Sequence, residues 1–298
     1  MKKNITENES VLGWILSTPS VVWILLIIVY PVILTLWISL HQQKMVEVNP
    51  PFIGLKNYID LLPSAKFLFQ LKLTVIWTFL NIVLITPVGV LLGLLLNRQF
   101  KGVGILRTWI LLSWIIPIVA TTLIWQWMLE PAVGIINFLL YETGITRSYV
   151  NFLGDPSISM LSIVVVNVWR WSPFMGIMTL AALQNLPREF YDAARVDGAN
   201  AWQTFWHITL PQIIPTVSVT SFILIIWLFN MFPPIWLLTE GGPIESTTTL
   251  PIAIYKEAFR LFRMGKAATY SIILLIVVSA FVAGYMMLFV KSREEVVK

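Results

Sequence analysis

Residues 188–215 read REFYDAARVDGANAWQTFWHITLPQIIP, a stretch with three acids, two arginines and a histidine. Charge is scarce elsewhere: only 12% of the 298 residues carry it, while 57% are apolar. The residues before and after this stretch form long greasy runs. Those runs decide the fold class, and the charged segment between them has to be explained against that background.

A soluble globular chain carries about 25% charged residues, so this chain holds half the charge needed to cover a water-facing surface. With 13% aromatic residues and a mean hydropathy of +0.81, it reads as an all-α polytopic membrane protein. Six charge-poor stretches have the roughly 20 residues that cross a bilayer core. They are Trp14–Leu40, Leu73–Leu96, Thr108–Leu129, Ile158–Leu186, Ile213–Leu238 and Ala268–Val290. Each is expected to be helical, because a helix satisfies its own backbone polar groups in lipid. Pro31, Pro87, Pro117, Pro173, Pro233 and Pro234 mark kinks within them. Residues 1–298 read as one transmembrane domain, with a first span over about residues 14–40 and a core over about 70–290.

Lys2 and Lys3 precede an uncharged run from Ser10 to Gln43 that is too long for a signal-peptide core, so the first span is expected to be retained. The net charge of +5 suits cytoplasmic loops rather than nucleic acid, since no basic stripe with interleaved aromatics is visible. The second connection, RQFKGVGILR, holds Arg98, Lys101 and Arg107 without an acid and is expected inside. Glu130 to Pro156 has three acids against Arg147 and is expected outside. Against this assignment, the first and fifth connections hold four basic residues each. Short loops weigh most, so both termini and the quoted segment are placed in the cytoplasm.

Within that segment, Pro187 can open a helix, and Glu189 and Asp192 suit its first turns. Gly198 can end the helix in a left-handed conformation. Asn200 can cap a second helix, which Pro211 is expected to stop. On these features alone, the element is either a docking surface for a partner or an amphipathic linker lying in the membrane interface.

The spacing Asp192-Ala193-Ala194, three residues, Gly198, nine residues, Ile208-x-Leu210-Pro211 resembles the EAA motif of ABC-importer permeases, with Asp192 in place of Glu. FIGLKNYIDLL, GIINFLLYETGI, NFLGDP and LLTEGGPIESTTTLPIAIYKEAF extend the resemblance over most of the chain, toward the first permease of maltose-, lactose- and glycerol-3-phosphate-type carbohydrate importers. It implies a type I importer permease bundle in the inner membrane, with residues of about 187–211 as a coupling loop seated on an ATP-hydrolysing subunit. Asp192 would then pair with a basic group, Ala193 and Ala194 would allow close packing, and Gly198 would make the turn. The implied partners are a second permease, two ATP-binding subunits that hold ATP and magnesium, and an external solute-binding protein.

No cofactor is expected in this chain itself. It contains no G-x-x-x-x-G-K-[ST] phosphate loop. Its two histidines, His41 and His207, have no acidic ligand set between them, and cysteine is absent, so no metal site is expected. No catalytic Ser–His–Asp set or carboxylate pair points to an enzyme. The rival class is an ATP-independent carrier or channel. Such carriers bury acids within their spans for ion coupling, and none of the six stretches contains Asp or Glu.

Asn167, Trp171 and Phe174 share one helix face at i, i+4 and i+7, as do Trp227, Asn230 and Met231 at i, i+3 and i+4. Rings and amides on facing helices suit a sugar; the same pattern also serves helix packing. The resemblance to maltose-type permeases points to Asn167, Arg170, Trp171 and Phe174, and to Leu224, Trp227, Leu228 and Met231, as the solute-facing positions. Most identities there differ from the maltose pattern. Arg170, the one charge within a span, either pairs with backbone carbonyls or lines a wet cavity.

Overall fold

A computed structural model describes residues 9–296, with side-chain environments for residues 13–287. Lys2 and Lys3 lie outside the described residues. The regular structure of the described residues is helical, apart from one isolated bridge between His41 and Phe52. Five helices among the described residues are long and apolar enough to cross a membrane, and a bent pair is apolar enough to form a sixth, broken span.

The chain forms two compact units. The first joins residues up to 67 with residues 253–277. It contains the first span, Gly13–Ser39, none of whose apolar run is buried by other parts of the chain. This span carries a π-helical turn at Leu25–Val29, directly before Pro31. Proline lacks an N–H and crowds the carbonyl four residues back, and the wider turn removes both conflicts.

The second unit joins residues 68–252 with residues from 278 onward. Its core gathers Trp77 from the second span (Ala65–Asn97), Ile163 and Val164 from the fourth (Ser159–Gln184), and Leu228 from the fifth. The second and fourth spans meet where side chains are smallest. A Cβ on Gly93 would lie 2.6 Å from the Thr179 Cβ and 2.9 Å from the Gly176 carbonyl oxygen, and one on Gly89 would lie 2.3 Å from the Met175 Cγ. Gly89 and Gly93 form a G-x-x-x-G pair, the spacing that lets membrane helices touch backbone to backbone.

Three expectations change. The third span is not a kinked helix but two helices, Val103–Ile115 and Ile118–Met128, at 95° to each other. Ile116 and Pro117 are both extended, with ψ of 135°, because a residue before proline is driven out of the helical region. The fifth span starts earlier, since Pro211 does not stop the second loop helix. The chain runs helically from Ala201 to Phe229 through a π turn at Phe205–Thr209, the device also found before Pro31. The same span ends earlier, at Phe229, because Pro233 and Pro234 open a separate helix, Pro233–Thr239.

Candidate coupling loop and solute path

The loop begins with the helix Arg188–Val196, and its end is a Schellman motif. Gly198 N–H donates to the Arg195 carbonyl at 3.2 Å and Ala199 N–H to the Ala194 carbonyl at 2.9 Å. Gly198 has φ of +74°, a conformation open to glycine at little cost. Asn200 then starts the next helix with a reciprocal capping box: its side chain accepts from Gln203 N–H at 3.0 Å, and the Gln203 side chain accepts from Asn200 N–H at 2.9 Å. Tyr191 and Thr209 hydroxyls, 3.3 Å apart, tie the two helices together. A cleft of about 380 Å³ lies between them, lined by Ala194, Gly198, His207 and Ile208 among others.

The motif residues divide by environment. Ala194 is buried and Ala193 is exposed. Leu210 packs with Ile213, Leu183 and Val90, which locks the loop to the ends of the second and fourth spans. Glu189 and Asp192 are exposed. Asp192 pairs with Arg195 one turn on, at 3.3 Å. An exposed pair of this kind is worth little, on the order of 0–1 kcal/mol, so either charge can be exchanged for a partner's. Phe190, Val196, Trp202 and Trp206 are exposed apolar neighbours, with Val196 88% accessible.

In the fourth and fifth spans the aromatic residues converge. Trp171 and Trp227 ring centroids are 5.2 Å apart, Phe174 and Trp227 5.7 Å, and Trp114 stacks on Phe174 at 5.5 Å. Trp114 was not among the sequence candidates. It lies just before the break in the third span, and no local spacing signals that the break swings it toward Phe174. Trp171 Nε1 is buried without a hydrogen-bond partner among the described residues.

The polar candidates are placed differently. Asn167 is buried against the second span, where its Nδ2 donates to the Asn81 Oδ1 at 2.6 Å. Asn81 in turn donates to the Trp77 carbonyl at 2.8 Å, and Trp77 Nε1 to the Leu228 carbonyl at 3.1 Å. This polar chain binds three spans together. Asn230 caps the end of the fifth span by donating to the Ile226 carbonyl at 2.9 Å. Met231 is buried in the core, as are Leu224 and Leu228.

Arg170 closes the broken third span. Its Nη1 donates to the carbonyls of Ile116 at 2.9 Å and Ser113 at 3.2 Å and to the Thr121 hydroxyl at 3.1 Å, while Nη2 reaches the Trp114 carbonyl at 3.4 Å. These carbonyls are the ones the helix end leaves without partners. The guanidinium fork supplies donors at fixed angles, and its charge suits the negative end of the helix. Arg107 plays a similar part at the end of the second span, donating to the Leu96 carbonyl at 2.8 Å.

Residues 85–295 match the family described as the binding-protein-dependent transport system inner membrane component. The chain belongs to this family of ABC-importer permeases. The matched region holds the segment of residues 187–211 and the last spans, and it leaves the permease's first span outside. Over 290 residues the permease is 33% identical to the trehalose/maltose transport system permease protein MalF of Thermococcus litoralis, covering 96% of this chain and 97% of that one. It is 30% identical over 260 residues to the diacetylchitobiose uptake system permease protein DasB of Streptomyces coelicolor, covering 86% and 79%. Among solved structures, it matches a chain of a bacterial ABC transporter involved in the import of the acidic polysaccharide alginate. The TM-score is 0.81 at 26% identity, covering 93% and 94% of the two chains. The permease thus has the all-α type I importer fold and is a multi-pass membrane component of an ABC importer.

Proposed function

We propose that this permease carries a sugar or related polyol, from mono- to oligosaccharide, into the cytoplasm by alternating access. ATP is hydrolysed on two separate ATP-binding subunits that hold the nucleotide and its magnesium. The ring cluster of Trp114, Trp171, Phe174 and Trp227 carries the solute reading. Aromatic faces cover the C–H surfaces of a pyranose, and the unpartnered Trp171 N–H is a donor suited to a hydroxyl. The names of the relatives, which refer to trehalose/maltose, diacetylchitobiose and alginate transport, support the same solute class.

In this reading the loop of residues 187–211 and both termini face the cytoplasm of the inner membrane. Glu189 and Asp192 offer carboxylates to a basic group on the ATP-binding subunit, and Ala193 admits close approach. Gly198 sets the turn, while Ile208, Leu210 and Pro211 pass movement to the fifth span. A second permease completes the path, and an external solute-binding protein delivers the solute. A related alginate transporter has been solved in complex with a periplasmic protein bound to an alginate pentasaccharide, which supports such an assembly.

The test is to extract the tagged permease gently and identify what accompanies it, then measure ATP hydrolysis against a panel of binding-protein-loaded saccharides. Sugar-stimulated hydrolysis that drops when Trp227 is changed to alanine supports the reading. A permease isolated without any P-loop ATPase, or one whose uptake runs without ATP, refutes it.

A further inference from the structure

Half of the basic residues of the first and fifth connections, which run against the charge rule, are brought together by the fold: Lys44, Lys56, Arg263 and Lys266. In the first unit, Gly265 N–H donates to the Gln43 carbonyl at 3.0 Å and Met45 N–H to the Phe262 carbonyl at 3.2 Å. Gly265 sits so close that a Cβ there would lie 2.3 Å from the His41 carbonyl oxygen. The buried Asn57 amide braces the same corner by donating to the carbonyls of Ser39 at 2.8 Å and His41 at 3.1 Å. Between these segments lies a cavity of about 310 Å³, ringed by Lys44, Lys56, Arg263 and Lys266 against one carboxylate, Asp60.

The cations are exposed and clustered, and acids do not match them one for one. Arg263 and Lys266 flank the start of the long helix Met264–Val296, where the positive end of the dipole favours acids over bases. Arg263 faces the Glu257 carboxylate only at 3.9 Å. Lys44, Lys56 and Lys266 are in no ion pair among the described residues. Gln43, also in the lining, has its side-chain oxygen buried without a partner. The cavity therefore offers several cationic donors for an anion, together with an acceptor for a hydroxyl. It lies where the first span ends at Ser39 and the last helix begins at Met264, and the ends of membrane spans are where lipid headgroups are met.

We infer that this cavity binds the headgroup of an anionic, hydroxyl-bearing phospholipid such as phosphatidylglycerol. The phosphate is held by Lys56, Lys266 and their neighbours, and a headgroup hydroxyl donates to Gln43. Basic pockets beside membrane helices hold lipid phosphates by this chemistry. The bound lipid would neutralise the clustered charge and bind the first span's end to the last helix's start.

The experiment counts lipids retained by the full-length permease, extracted with the subunits that accompany it, by native mass spectrometry after exchange into defined lipid. Wild type is expected to keep phosphatidylglycerol and release phosphatidylcholine. The Lys56→Gln/Lys266→Gln pair should hold phosphatidylglycerol roughly 10- to 30-fold more weakly, and the Lys56→Arg/Lys266→Arg pair should keep it. Asp60→Asn should bind it more tightly, which decides the matter even if the glutamine pair fails to fold. Equal retention of both lipids, or an Asp60→Asn variant no tighter than wild type, overturns the inference. So does displacement of bound phosphatidylglycerol by millimolar inorganic phosphate, which would mark a free-anion site. None of these outcomes depends on the solute, so failure here leaves the transport reading untouched.

Discussion

Replacing Arg170 by methionine would leave the carbonyls of Ser113, Trp114 and Ile116 facing apolar surroundings with no donor. The expected cost is roughly 2 kcal/mol or more, seen as a lower unfolding temperature in detergent. Lysine should recover only part of it, because a single ammonium cannot reproduce the planar fork. A fully stable methionine variant would show that the break needs no such brace. At Gly198 the requirement is conformational. Nothing lies within 4 Å of a Cβ built there, so Gly198→Val pays for the positive φ alone, about 1–2 kcal/mol, while Gly198→Asn should be tolerated better. The comparison to make is transport per ATP hydrolysed. The valine variant should lose coupling and the asparagine variant should keep most of it. These two residues differ in how far the sequence reveals them. Gly198 is legible because its partners lie within five residues. Arg170 could be read only as one of two alternatives, since its carbonyls belong to a helix more than fifty residues away.

At the scale of elements, the second and fourth spans form a pair whose separation is set by Gly89, Gly93 and Gly176. Gly93→Ala is the smallest change that tests this. Its methyl would meet a backbone oxygen as well as Thr179, so the helices must part, at a cost of about 1–3 kcal/mol. A thermal melt of the purified protein checks it, and an unshifted melt would mean that the spans are free to slide. The apolar runs located the spans because lipid demands continuous hydrophobic length, but helix ends obey other constraints. Pro117 reads as a kink from its neighbours and becomes a 95° break once a distant arginine satisfies the carbonyls it frees. Pro211 reads as a stop and lies inside a helix, because a π turn one step earlier absorbs its missing N–H. Proline tells where the ladder must change; the surrounding donors and space decide how.

For the whole molecule, the central expectation concerns the ATP-binding subunit. Asp192→Lys should place like charges together at the docking surface and reduce co-purification of that subunit, whereas Asp192→Glu should preserve it. Unchanged co-purification of the lysine variant would move the contact elsewhere on the loop. The class of the protein was readable from scarcity of charge, and the loop from its spacing. The grouping of side chains between the middle spans was readable only in part. Helical spacing finds residues that share a face but not which neighbour that face meets, so Asn167 proved to join Asn81 while Trp114 joined Phe174. That last grouping has a consequence of an optical kind. Three indoles and a phenyl ring drawn from three spans, with centroids 5–6 Å apart, are close enough for their electronic transitions to couple. The permease thus carries its own chromophore where its third, fourth and fifth spans meet. Its near-ultraviolet circular dichroism should change as those spans separate, so that the transport cycle can be followed without any attached label.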